Sequence, residues 1–347
     1  MKVIKIAALK LLVVLCFFVV FSKVSFSADD NVDGIPGDDP VVEMNHQQSL
    51  QGLQEPFSAQ FGIEDGLYKE LYDNGEVKRL LTYKDGQPNG LFNTFYEDGK
   101  LSGEGFFVNG LHEGSARIYY PDQRLQMEVN YKNGQLNGIL KQYYEDGHIK
   151  SEAVYNEGKL DGIYKEYFPD AKLQYERQYK NGKVDGVVKE FSPLGFLRRT
   201  ASFKDGAQRG IIREFNDQGI LETAFEAYDG VPNGIIKEYY LTGELRSESM
   251  LEDGKLADGT IKEYYASGTL WREVHIKNGK RDGLFQEFFE NGKIKLVGQY
   301  AKDKRNGIFK TYHNHGALES EISYENDVKM DTKYFNEYGK IIAGDIN

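Results

Sequence analysis

Between residues 66 and 330, apolar and polar positions recur in a fixed rhythm. Short runs rich in Tyr, Phe, Ile, Leu and Val, such as GIIKEYY at 234–240 and ELRSESMLEDG at 244–254, are bounded by glycine and by Asn-Gly or Asp-Gly steps. Runs this short between turn residues predict strands. A glycine about every ten residues makes a helix too costly. Gly66, Gly90, Gly114, Gly138, Gly162, Gly186, Gly210, Gly234, Gly259, Gly283 and Gly307 open successive units 24 residues apart, with one step of 25 where Ala257 is added. Eleven units cover 66–330, and a truncated twelfth follows with Met330 at the glycine position.

Each unit reads as a hairpin. Asn74-Gly75, Asp98-Gly99, Asp146-Gly147 and Asn291-Gly292 predict type I′ turns in mid-unit, with both central residues at positive φ. Further turns fall at Asp85-Gly86, Asn109-Gly110, Asn133-Gly134, Asn181-Gly182 and Asn278-Gly279. Counting the opening glycine as position 0, a two-residue middle turn sets position 3 opposite 14, 2 opposite 15 and 6 opposite 11. Position 3 is Lys or Arg in nine of eleven units and position 14 is Glu in seven, so the register pairs Lys141 with Glu152 and Lys262 with Glu273. Such cross-strand pairs contribute about 0.2–1 kcal/mol each. Position 11 is always Val, Leu or Ile and position 6 is often aromatic, which makes one apolar face. Position 5 lies on the other face, beside the charges. It holds Phe95, Tyr119, Tyr143, Tyr167, Phe191, Phe215, Tyr239, Tyr264, Phe288 and Tyr312, with only Leu71 breaking the run.

A lone hairpin is marginal in water, whereas stacked hairpins bury their faces on one another. The expected fold is therefore all-β: an elongated, single-layer antiparallel meander of about 22–24 strands. The pattern G-x-x-K-E-Y-Y-x-x-G-x-L…Y-x-x-G-x-x-x-G resembles the MORN-repeat variant, as found in bacterial YwqK-type antitoxin-like proteins. The resemblance covers 66–347. Gln123 and Ala171 depart from it at the middle glycine, and Asp303 and Asp327 at the third. It implies a β-hairpin solenoid whose role is interaction: scaffolding, membrane-associated assembly, or an antitoxin-like partner of a toxin.

Residues 1–28 read as a signal peptide. Lys2, Lys5 and Lys10 precede the apolar run 11–21, and Ser25-Phe26-Ser27-Ala28 offers small residues for cleavage. Leu15 before Cys16 argues against lipid attachment at that cysteine. Cleavage after Ala28 removes the only cysteine, and with it disulfides and thiolate chemistry. It also removes four lysines and no acid, taking the net charge from −11 to −15. That surface repels phosphate backbones and anionic lipid, which excludes nucleic acid and opposes direct anionic membrane binding. The localisation that follows is export: periplasmic, envelope-associated or secreted.

Chemistry is sparse. His313 and His315 flank a turn and are the only close histidine pair. The position-14 glutamates already have basic partners and share one repeated environment, unlike the contrasting carboxylates of a glycosidase. No turn glycine precedes a helix, so no phosphate-binding loop is expected. Residues 29–65 form an acidic polar tether in which Asp29, Asn31 and Asp33 match the opening of a calcium loop, although Pro40 stands where the bidentate Glu belongs. These readings converge on a non-enzymatic, cofactor-free repeat protein. Its position-5 aromatics bind a protein partner, with a carbohydrate or cell-wall ligand as the alternative. Sugar platforms commonly use Trp, and this chain has only Trp271.

Overall fold

The computed structural model describes residues 64–346. The expected signal peptide, the expected tether up to residue 63 and the expected calcium-loop residues Asp29, Asn31 and Asp33 lie outside that span. Every regular element within it is a β-strand, thirty in all, joined by antiparallel pairing into one open sheet. The count exceeds 22–24 because six units are preceded by a two-residue strand, such as Leu111–His112, which is interrupted for one residue and resumes at the opening glycine as Gly114–Tyr119.

The closing turns have the type I′ form, with Asp85 at φ 51° and Gly86 at 71°. The middle turns do not. Only the glycine is at positive φ there, Gly75 at 89° and Gly99 at 80°. Gly75 N donates to Tyr72 O at 2.9 Å and Tyr72 N to Glu76 O at 2.8 Å, which encloses three residues rather than two. Asn74 and Asp98 brace the loop with their side chains, whose Oδ1 atoms accept from the backbone N–H two residues on, at 2.9 and 3.1 Å. The extra loop residue becomes a bulge after position 4. Lys141 still faces Glu152 and Leu140 faces Ala153, but Tyr143, at position 5, faces Ile149 at position 11. Position 6 is pushed into the turn.

From there it stitches the units together. Tyr72 Oη donates to Phe95 O at 2.7 Å, Tyr120 to Tyr143 O at 2.7 Å, Tyr144 to Tyr167 O at 2.7 Å and Tyr265 to Phe288 O at 2.9 Å. Phe168, Ser192 and Asn216 interrupt this ladder in mid-array.

A second bulge sits at the opening glycine. Leu81 faces Phe92 and Tyr83 faces Pro88, so the strand gains residues around Gly90, whose φ is 121°. Bulges bend strands. This one brings positions 17 and 22 onto the same side as 2 and 15, and a single layer thereby buries one face on itself. Leu81, Val129, Leu140, Tyr155, Leu160, Val184 and Val188 are all buried there. Small residues make room for large neighbours at points along the row. Gly298 faces Phe285, and a β-carbon on it would lie 2.4 Å from the Phe309 ring.

The same bulge absorbs changes of length. Ala257 is accommodated beside Gly259, with Ala257 N donating to Met250 O at 2.9 Å while Leu251 still faces Leu256. Near Met330 one residue is missing, and the register slips only between Ser323 and Tyr324. The Asp303 and Asp327 departures are also compensated. At φ 71° and 72° they occupy the glycine conformation and receive Arg281 at 3.2 Å and Arg305 at 3.0 Å. Those arginines stand where Leu160 and Val184 are buried in other units, and they lie over Tyr300 and Tyr324 at 4.2 and 4.0 Å.

Candidate interaction face

The opposite face carries positions 1, 3, 5, 14 and 16. Its central row is the charge ladder, which runs through unit boundaries as well as within units. Arg117 lies 3.1 Å from Glu128 and 3.4 Å from Glu104, Lys141 lies 3.4 Å from Glu152, and Lys310 lies 2.7 Å from Glu321. Glu176 takes Lys189 of the next unit at 2.7 Å rather than Lys165. These pairs are partly solvated, so each contributes about 0–1 kcal/mol.

The position-5 aromatics flank that row, as the alternation requires. All ten, from Phe95 to Tyr312, are half-buried, whereas Leu71 is exposed. Three are pinned to the ladder: Tyr119 donates to Glu104 at 2.7 Å, Tyr167 to Glu152 at 3.1 Å and Tyr264 to Glu248 at 3.0 Å. Burial, and then the adjoining carboxylate, pushes the Tyr167 and Tyr264 hydroxyls up to about 12. The rings are thus partly structural, each leaving an edge to solvent.

On the other side of the ladder runs an apolar row that the sequence reading missed. Position 1 is aliphatic in nine of eleven units, and Leu67, Leu91, Ile139, Ile163, Ile235 and Ile308 are exposed, Leu67 by 70%. Its cross-strand neighbours include Phe106 and Met250, also exposed. The signal was present as a column of Ile, Leu and Val directly after nine of the eleven opening glycines. Without knowledge of which face is covered, it reads as core.

Nothing on this face sets two carboxylates apart. The carboxyls that are displaced, among them Asp98, Asp170, Asp185 and Asp327, all move down, drawn by Lys100, Lys172, Lys204 and Arg305 in turn. The rings of His313 and His315 stack 5.4 Å apart, but among the described residues no three His, Cys, Asp or Glu side chains converge to hold a metal. No described helix is long and apolar enough to cross a membrane. One face of Trp271 is taken by the Arg272 guanidinium at 4.7 Å.

A sheet of glycine-punctuated hairpins with one self-buried face and one open face is the architecture of a β-hairpin repeat protein. The repeat type is shown by sequence: the MORN repeat variant matches residues 64–85, 88–109, 136–157, 160–181, 257–278, 281–302 and 305–326. Seven MORN repeats of the variant type thus lie within residues 64–326 of the chain. MORN repeats are commonly protein- or membrane-interaction repeats and are generally non-catalytic. No curated protein matches the chain. Among solved structures it is similar to a chain of the TcdB2-TccC3 crystal structure, with 12% identity over 81% of this chain and 20% of that one, at a TM-score of 0.19. It is also similar to a chain of the Photorhabdus luminescens Tc holotoxin pore, with 10% identity over 79% of this chain and 18% of that one, at a TM-score of 0.18. This chain therefore spans about a fifth of the length of either.

Proposed function

We propose that this is a non-catalytic interaction protein that holds a protein partner along the open face of its sheet. One observation carries the reading: the exposed aliphatic row at position 1 runs beside a charged row and a row of half-buried rings, with no described residue covering it. Surfaces of this kind mark interaction sites. Tyrosines fixed by neighbouring hydrogen bonds, such as Tyr119, Tyr167 and Tyr264, also lose little entropy when a partner arrives. Many weak repeated contacts, rather than one deep pocket, would supply the affinity.

The apolar run 11–21 behind Lys2, Lys5 and Lys10 supports delivery of this surface to the envelope or the outside. An immunity-like role, with a toxin as the partner, is the narrower form of the proposal. A carbohydrate ligand is less favoured, because Arg272 already occupies one face of the only tryptophan.

Affinity capture from the protein's own source tests the reading. The double variant Tyr239→Ala/Tyr264→Ala keeps the β-sheet circular dichroism signal and captures the partner at least about tenfold less well. Equal capture by the variant and the unaltered protein removes the open face from consideration.

A further inference from the structure

The charge ladder is interrupted in the middle of the array. Five successive register partners read Lys189, Thr200, Arg213, Ala224 and Lys237: three cations with no acid between them. Lys189 retains Glu176 at 2.7 Å and Lys237 faces Glu248 across the next hairpin, but Arg213 has a neutral residue on both sides. Among the described residues Arg213 and Lys237 make no ion pair, and Arg213 is exposed. Glu226, on the same face, leans over Gly234 instead, its Oε2 3.0 Å from where a β-carbon would sit. The Thr200 hydroxyl, between Lys189 and Arg213, is buried with no hydrogen-bond partner among the described residues. Phe191, Phe215 and Tyr239 line one side of this break, and the exposed Ile211 and Ile235 line the other.

We infer that this break is the docking site for an acidic, extended polypeptide segment of the partner. The inference rests on the interaction role proposed above and assigns its location and chemistry. Strands lie about 4.8 Å apart, so cations on every second strand recur at about 9.6 Å. A polyproline II segment rises about 3.1 Å per residue with three residues per turn, so an acid at every third residue recurs on one side at about 9.3 Å. A segment of the form Asp-x-x-Asp-x-x-Asp crossing the strands therefore sets its carboxylates over Lys189, Arg213 and Lys237. Its two other sides meet the aromatic row and the aliphatic row, which suit proline or aliphatic residues at x. A uniform Lys–Glu ladder would repel such a segment at every second strand; here the glutamates are replaced by Thr200 and Ala224. The net charge of −11 opposes approach at long range, but at physiological salt the screening length is about 8 Å and the contacts decide.

The test uses the protein with synthetic peptides read by fluorescence anisotropy: one with Asp-Pro-Val repeats, one with Asn replacing each Asp, and one with Lys. The acidic peptide binds, loosens as salt rises, and binds at least about tenfold tighter than the Asn peptide. The variant Arg213→Glu/Lys237→Glu loses it and gains the Lys peptide, an exchange that a misfolded protein cannot show. Lys141→Gln, in the compensated part of the ladder, leaves binding unchanged. The inference is overturned if the acidic peptide does not bind, if it binds the double variant equally, or if anionic vesicles bind better and respond to the same variants. Should it fail while the Tyr239/Tyr264 variant still loses capture, the open face remains the interaction surface and only its assigned chemistry falls.

Discussion

At the scale of single residues, backbone conformation and burial set measurable costs. Ala171 sits at φ 63° and Gln123 at φ 71°, where the repeat otherwise places glycine. A β-carbon in that region costs about 1–2 kcal/mol. Ala171→Gly is therefore expected to raise the stability by about 1 kcal/mol in urea unfolding. Gln123→Gly should gain much less, because it also removes the 2.9 Å bond from Gln123 Nε2 to Leu101 O. Equal gains at both sites would refute that account.

The tyrosines give a pH dependence of defined sign. Tyr167 and Tyr264 keep their protons to about 12, while an unfolded tyrosine loses its own near 10. A raised folded value means that this contribution is whole below pH 10 and is lost as pH climbs through 12. Denaturation midpoints should hold up to pH 10 and then decline, and a profile still flat at pH 11.5 would contradict the linkage. The acidic and basic residues of the ladder were legible as chemistry from the sequence because a charge pattern survives any choice of turn. The raised tyrosines were not, since burial depends on which face is covered.

At the scale of the element, the unit is a hairpin with two bulges, and the position-6 tyrosine ties it to the next. Where that residue is Phe168, the carbonyl of Phe191 lacks the tyrosine donor that Phe95 and Tyr143 enjoy. Phe168→Tyr should supply it and stabilise the array by about 0.5–1.5 kcal/mol, and Tyr144→Phe should remove a similar amount. Thermal unfolding of the two variants checks both; shifts of the same sign would show that the ladder is incidental. Position 3 faces 14, as the spacing predicts, whereas position 11 faces position 5 and not position 6. Asp-Gly and Asn-Gly serve both a two-residue turn and a three-residue turn with a glycine bulge. Only the backbone bonds from Tyr72 to Glu76 and from Gly75 to Tyr72 separate the two.

At the scale of the described sheet, the opening-glycine bulge is the joint that tolerates change. Ala257 shows it accepting an extra residue and Met330 a missing one, while the strands on either side keep their faces. Inserting one alanine before Gly186 should leave the protein folded and monophasic in unfolding. The same insertion between Ser151 and Glu152 turns the rest of that strand over and should cost several kcal/mol, on the order of a large core lesion. Equal tolerance of the two insertions would mean that register is not held by the buried face. What the sequence determined by itself is the unit: a 24-residue period, strands between glycines, and charges that pair across them, because each is a local or nearest-neighbour property written in residue spacing. What the tertiary structure decided is which side of the sheet is interior and where the charge ladder fails. Both depend on how bulges bend successive strands toward one side, and no single unit contains that information.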